Sequence, residues 1–389
     1  MQLFGKPLLK SIFDGDRDVD TIMRKMSIRF KDAEFIPGDT LIFLDEIQSC
    51  PDARVAFKFF TIDGRYDVIG SGSLLGVTHK EVSSYPVGYE DVVEMYSLDF
   101  EEFLWAMGVK DDIIDYVRTS LSKKEQIDQF ILDTLNEYLR WHMIVGGMPE
   151  VVSTFNETKH FGKVLKVQKR IIDGYIEDIR KYAAWLDKDK VKTTFESIPA
   201  QLSKKNKKFM YADVESKKDA RKETYWGGLT WLYDAGIINF CHNLSEPALP
   251  LPANHKENFF KVYLRDTGLM TAMMEDGVSE AFLNNEIDVN EGAVMENMAA
   301  DMLSKNDYKL TYFEKNGSLE IDFVLNLNGI VSAIEIKSGI NRRAKSLNVL
   351  MSSKYNVKRG IMLESRNVFV DEKGVEHYPM FAAAFMRSL

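Results

Sequence analysis

The 389-residue sequence is poor in cysteine, with only Cys50 and Cys241, far apart and without metal-ligand spacing. That usage excludes a disulfide framework or a cysteine-built zinc site and fits a reducing cytoplasm. No apolar run approaches the ~20 residues that a membrane helix needs. The opening MQLFGKPLLKSIFDGDRD lacks the basic-then-apolar layout of a secretory signal. Internal repeats and low-complexity tracts are missing as well. The most telling absence is a phosphate-cradling G-x-x-x-x-G-K-[S/T] loop: the early Gly5-Lys6 pair is followed by Pro7.

What is present belongs to a globular chain. Hydrophobic content of 45% and charged content of 28% are ordinary, and the length allows two or three domains with real cores. A formal net charge of -9 argues against a nonspecific nucleic-acid coat. The charge is uneven, however. Over residues 1–110 the count is 12 basic minus 19 acidic, or -7; over residues 188–222 it is 11 minus 5, or +6. The basic cluster comprises Lys204, Lys205, Lys207, Lys208, Lys217, Lys218, Arg221 and Lys222. Such a patch can contact phosphate even on an acidic protein. Charge alone favours the blander reading, a solvated loop between helices.

Residues 41–48 read LIFLDEIQ. A short apolar run ending in two acids is how a buried parallel strand delivers carboxylates to a sheet edge. In a nucleotide-hydrolysing sheet, the first acid (Asp45) holds Mg²⁺ and the second (Glu46) polarises the attacking water. A second strand, Tyr66–Ile69, runs into Gly70-Ser71-Gly72-Ser73 at the edge where ligands bind in open α/β sheets. Ser71 and Ser73 are thus placed to sense a γ-phosphate beside Asp45, or form a turn into a helix. Asp99, with Glu102 three residues on, predicts a capped helix start in YSLDFEEFLW.

From about residue 111 to 245 the periodicity is helical: 127–145, 164–182, 193–202 and 221–235, with Gly146-Gly147-Met148-Pro149 breaking the first. The strand-like segments 237–241 and 259–264 follow. Helix, loop, helix and a two-stranded wing make a winged-helix layout, which serves DNA contact or plain protein packing.

The last hundred residues return to α/β, with a helix over 291–303 and strands over 310–314, 320–325 and 330–337. Residues 326–329 supply a hairpin turn. Strict alternation in EIDFVL points Glu320, Asp322 and Val324 one way, and in IVSAIEIK places Glu335 and Lys337 on one face. If these strands pair, Asp322 and Glu335 converge as candidate Mg²⁺ ligands, with Glu296 as the extra carboxylate from the helix. Lys337 would orient the hydrolytic water. An amphipathic hairpin with its polar face in water has the same alternation.

LIFLDEIQ (41–48), VIGSGSLLG (68–76), SYPVGY (84–89), LDFEEFLW (98–105), GGMPEVV (146–152), SIPAQLSKKNKKF (197–209), EIDFVL (320–325) and AIEIKSG (333–339) stand in this order along nearly the whole chain. In them the sequence resembles the prokaryotic AAA-type ATP-binding proteins with a C-terminal domain of unknown function of the DUF4143 type. That domain is related to the restriction-endonuclease-like PD-(D/E)xK fold.

The resemblance implies a multidomain α/β protein. Residues 1–110 would be a partial P-loop NTPase sheet, 111–284 a helical and winged-helix region, and 285–389 a nuclease-like α/β domain. It places Asp45 and Glu46 on the Walker-B acids and Ser71 or Ser73 on the sensor. Glu296, Asp322, Glu335 and Lys337 fall on the nuclease-like positions. ATP and Mg²⁺ are the implied cofactors and DNA the implied partner; a homo-oligomer is compatible, and no membrane is involved. The family's phosphate loop would lie upstream of Met1, as in a truncated product or a misplaced start codon.

Three functions follow: an ATPase-type protein acting on DNA, impaired by loss of the loop; a Mg²⁺-dependent nuclease with a vestigial ATPase part; and a noncatalytic DNA- or protein-binding module. The first two differ in which acids matter, Asp45 and Glu46 or Asp322 and Glu335. The third needs neither pair.

Overall fold

A computed structural model describes residues 1–72, 88–183, 186–215, 221–274, 291–315, 319–337, 345–352 and 357–389, together with Gly277, Gly317 and Tyr355. The chain is mixed α/β and falls into two compact units, residues 1–95 with 234–236, and residues 96–233 with 237–389. The expected helix start at Asp99 therefore belongs to the second unit.

In the first unit, β1 (Leu41–Leu44) pairs in parallel with β2 (Asp67–Gly70), Leu44 opposite Gly70. Along the other edge of β1 run residues 1–3: Asp45 N donates to Met1 O at 2.8 Å and Leu3 N to Asp45 O at 3.0 Å. The crossover between β1 and β2 is the Pro51–Asp63 helix, opened by a proline whose missing N–H is not needed in the first turn and closed by Gly64 at φ 72°. Ile42 and Leu44 pack with Ile22, Met26, Ala53, Ala56 and Phe60. β1 was expected to be buried throughout. Instead Leu41 is 55% and Phe43 45% exposed, because among the described residues only one face of this sheet is covered by helices.

The second unit begins with the Phe100–Ala106 helix, capped as expected: Asp99 accepts from Glu102 N while Glu102 accepts from Asp99 N, each at 2.8 Å. The Gln129–Val145 helix stops at Gly146, whose φ of 71° suits glycine. Here Asp266 Oδ2 accepts from Gly147 N at 2.8 Å, and Leu98 N donates to Gly147 O. A Cβ on Gly147 would lie 2.0 Å from the Leu98 carbonyl oxygen. The glycine pair is thus a close-packed crossing of three segments.

Helices Phe161–Tyr182, Lys188–Leu202 and Lys222–Asp234 lead into β3 (Ile238–Leu244) and β4 (His255–Leu264), which pair antiparallel. This pair does not stand alone. β3 pairs in parallel with β5 (Thr311–Lys315), and β5 with β6 (Leu319–Ile321), in one sheet of order β4-β3-β5-β6. The second sheet, β10-β11-β9-β8-β7, contains β7 (Phe323–Leu327), β8 (Ile330–Ile336), β9 (Arg359–Glu364), β10 (Phe369–Val370) and β11 (Glu376–Pro379). The β7–β8 hairpin turns at the expected place, with Asn326 accepting from Gly329 N at 2.8 Å.

EIDFVL is not the single strand its alternation suggests. It breaks at Asp322: Leu319–Ile321 pairs in the first sheet and Phe323–Leu327 in the second. Asp322 is the corner where the chain passes between sheets, so Glu320 and Val324 do not share a sheet face with it.

Candidate functional site

Two clusters of chemistry-bearing residues stand out, one in each unit.

At the C-terminal edge of β1, Asp45 Oδ1 accepts from Ser71 Oγ at 2.7 Å and from Glu46 N at 3.1 Å. Parallel pairing continues past the strand ends, since Ser71 N donates to Leu44 O at 2.8 Å and Ile47 N to Ser71 O at 3.0 Å. Both side chains are half-buried. Glu46 has a left-handed backbone, φ 59° and ψ 44°, an uncommon state for a non-glycine residue, and its Oε2 accepts from Gln48 Nε2 at 2.8 Å. Strain of this kind persists only where the surroundings impose it. A carboxylate and a hydroxyl converging at a parallel-sheet edge suit a Mg²⁺ that keeps its waters. Ser73, the other expected sensor, lies outside the described residues.

The second cluster is buried. Glu296, 2% exposed on the Glu291–Lys305 helix, accepts at Oε1 from Lys261 Nζ at 2.8 Å and from the Tyr263 hydroxyl. Its Oε2 is paired with Lys207, whose ammonium also donates to Gly292 O at 3.3 Å. Lys261 has no exposed surface; it also reaches Glu320 Oε1 at 3.0 Å and lies 4.9 Å from the centre of the Tyr312 ring. Asp322 Oδ2 accepts from Ile336 N at 2.8 Å. Glu335, 5% exposed, pairs through Oε1 with Lys337.

Charge within this cluster is divided unequally. Burial on its own would raise the pKa of Glu296, but Lys261 and then Lys207 outweigh it and hold the carboxyl at about 2. For Asp322, burial and then the negative charge of Glu296 push the carboxyl up to about 7, against the pull of Lys261. Burial would depress Lys261, yet Glu296, Asp322 and Glu320 together raise it well above the usual lysine range.

The expected metal ligands Glu296, Asp322 and Glu335 are engaged largely by donors of the chain itself. Among the described residues no three His, Cys, Asp or Glu side chains are grouped to hold a metal ion. Two lysines and a tyrosine take both oxygens of Glu296, and a backbone amide takes one of Asp322. Glu335 is not on a solvated face either, because β8 lies inside a five-stranded sheet and is buried on both sides. Lys337 meets Glu335 itself rather than an open position.

The basic cluster is also largely consumed internally. Lys204 pairs with Asp213 at 2.9 Å, Lys207 with Glu296, and Lys208 with Glu314 at 2.5 Å. Lys222 donates to Asn258 at 3.2 Å and lies over the Trp226 ring. Lys205 and Arg221 are exposed, and Lys217 and Lys218 lie outside the described residues. Sequence reasoning missed Lys261 and Tyr263; the only signal was a lysine inside the apolar run FFKVYL.

Residues 7–104 match the family model of an AAA domain, 136–280 that of a domain of unknown function, DUF8612, and 291–380 that of another, DUF4143. Segments of the chain are thus similar to an AAA domain and to a DUF4143 domain. No curated protein matches the chain. The crystal structure of protein VC1899 from Vibrio cholerae is similar at 9% identity, covering 90% of this chain and 89% of that one, with a TM-score of 0.22. Among the described residues no helix is long and apolar enough to cross a membrane.

Proposed function

We propose that this chain is an AAA-type ATP-binding protein in which Asp45, Glu46 and Ser71 form the metal-facing half of a nucleotide site. The observation that carries the reading is the 2.7 Å hydrogen bond from Ser71 to Asp45 across neighbouring parallel strands, inside the segment that matches an AAA domain. Asp45 and Ser71 would hold Mg²⁺ through its waters; bound Mg²⁺ would neutralise phosphate charge. Glu46, fixed by its backbone and by Gln48, would orient a water. The backbone amides and lysine of a phosphate loop, which supply most nucleotide affinity, have no counterpart motif in the sequence.

Association with Mg-ATP should therefore be weak, about millimolar or weaker, equivalent to roughly -4 kcal/mol. Broadening of the ATP phosphorus resonances by the full chain, with Mg²⁺ and with EDTA, tests this. Metal-dependent broadening that Asp45→Asn removes supports the site. Broadening that Asp45→Asn leaves intact, or none at tens of millimolar nucleotide, sinks it.

For the C-terminal domain, the engagement of Glu296 by Lys207 and Lys261 favours the noncatalytic binding module over the Mg²⁺-dependent nuclease. Incubation of the full chain with linear and nicked DNA and Mg²⁺ or Mn²⁺ should release no fragments. Cleavage lost on Glu335→Ala would restore the nuclease reading.

A further inference from the structure

The acids of the second unit sit where a divalent cation was expected, and a side chain of this chain is already there. We propose that the Lys261 ammonium is the resident cation of the Glu296–Glu320–Asp322 cluster, so that the C-terminal domain is built around an internal ion cluster and takes no divalent metal at this place. The inference concerns the second unit alone and does not depend on the nucleotide reading.

Geometry carries it. Lys261 Nζ lies 2.8 Å from Glu296 and 3.0 Å from Glu320, with the Tyr312 ring on one side. A Mg²⁺ needs six oxygens at about 2.0–2.1 Å, and Glu296 has both oxygens committed to protein donors. Charge is balanced without a metal at the two glutamates, where Lys207 and Lys261 face Glu296 and Glu320. A metal entering here must displace the buried Lys261, and an unpaired ammonium in that position is strongly disfavoured. Asp322 keeps one oxygen beyond its bond to Ile336 N, and Glu335 Oε2 is buried and without a hydrogen-bond partner among the described residues. Glu335 is paired with the Lys337 ammonium, which repels a dication.

The test uses the full chain carrying Asp45→Asn, so that any metal at the first unit's acids does not contribute. Binding of Mn²⁺ is counted from the loss of its free-ion paramagnetic signal. No Mn²⁺ bound in a manner sensitive to Asp322→Asn or Glu335→Gln is expected. Lys261→Met should create a Mn²⁺ site that Glu296→Gln removes. One Mn²⁺ bound by the parent and lost on Asp322→Asn or Glu335→Gln overturns the proposal, as does a folded Lys261→Met chain that takes none. Should Lys261→Met not fold, Glu296→Gln decides alone. Its thermal midpoint should drop equally in EDTA and in Mn²⁺, whereas a drop seen only with Mn²⁺ means that Glu296 serves a metal.

Discussion

Ser71 and Asp45 are 26 residues apart in sequence, yet the Ser71 hydroxyl donates to the Asp45 carboxylate at 2.7 Å. The link exists because β1 and β2 run parallel and in register, so that the first residue past each strand end lies beside the other. Replacing Ser71 by Ala removes one half-buried, charge-assisted hydrogen bond. It should lower unfolding free energy by about 1–2 kcal/mol, read as a shift in urea midpoint without a change in slope. No shift would mean that water replaces the hydroxyl.

Glu46 pays a conformational cost for its left-handed backbone. For an L-residue that cost is about 1–2 kcal/mol, while glycine loses about 0.5–1 kcal/mol to its freer unfolded chain. Glu46→Gly should therefore stabilise the first unit by up to about 1 kcal/mol while deleting the carboxylate proposed to orient water. Destabilisation in urea would show that the Glu46–Gln48 contact outweighs the strain.

Gly147 has no room for a methyl group. A Cβ would meet the Leu98 carbonyl oxygen at 2.0 Å, and neither segment is free to retreat, since Leu98 N and Gly147 O are hydrogen-bonded. Gly147→Ala should cost about 3 kcal/mol, lowering the thermal midpoint of the second unit. A midpoint within one degree of the parent would refute the crossing as a packing constraint.

Asp301 offers a pH dependence with a definite sign. It is fully buried beside Lys305, with Oδ2 accepting from Nζ at 3.2 Å, and burial pushes its carboxyl from 3.8 up to about 7 despite that lysine. A raised carboxyl pKa means that the folded chain keeps a proton the unfolded chain has lost. Its contribution is therefore complete below about pH 4 and declines as pH rises toward 7. Asp301→Asn should flatten this decline. Parallel stability curves for parent and variant between pH 4 and 7 would exclude it.

The basic cluster should behave as structure rather than as a DNA-binding face. Each phosphate contact contributes about 0.9 to the log–log salt slope. Replacing Lys204, Lys207 and Lys208 together by Gln should leave any such slope nearly unchanged but lower the thermal midpoint, chiefly through the buried Lys207–Glu296 pair. A slope reduced by two or more would return these lysines to phosphate binding.

What could be read from the sequence was what is decided locally. The Asp99–Glu102 capping box needs only residues three apart, and the Asn326–Gly329 turn only four, so both are visible in the chain itself. LIFLDEIQ likewise marks its own strand end. The second cluster is different in kind. Lys261 finds Glu296 and Glu320 at separations of 35 and 59 residues, and nothing near FFKVYL signals either acid. EIDFVL alternates equally well as one strand or as two strands meeting at a corner; partners β5 and β8, not the hexapeptide, decide between them. Lys207 and Lys208 read as part of a patch because their acids, Glu296 and Glu314, come 89 and 106 residues later.

The sheet that joins β3 and β4 to β5 and β6 has a practical corollary for anyone who would isolate the carboxy-terminal segment. A fragment cut at residue 285 keeps β5 but discards the strand along its edge, leaving a row of peptide groups ready to pair with another chain. It also strips Lys207 and Lys261 from Glu296, stranding a buried anion. Such a fragment should be recovered as aggregate, and one starting at about residue 96, where the second unit begins, should be recoverable as folded protein. The segment recognisable by family resemblance and the segment able to fold by itself are not the same length of chain.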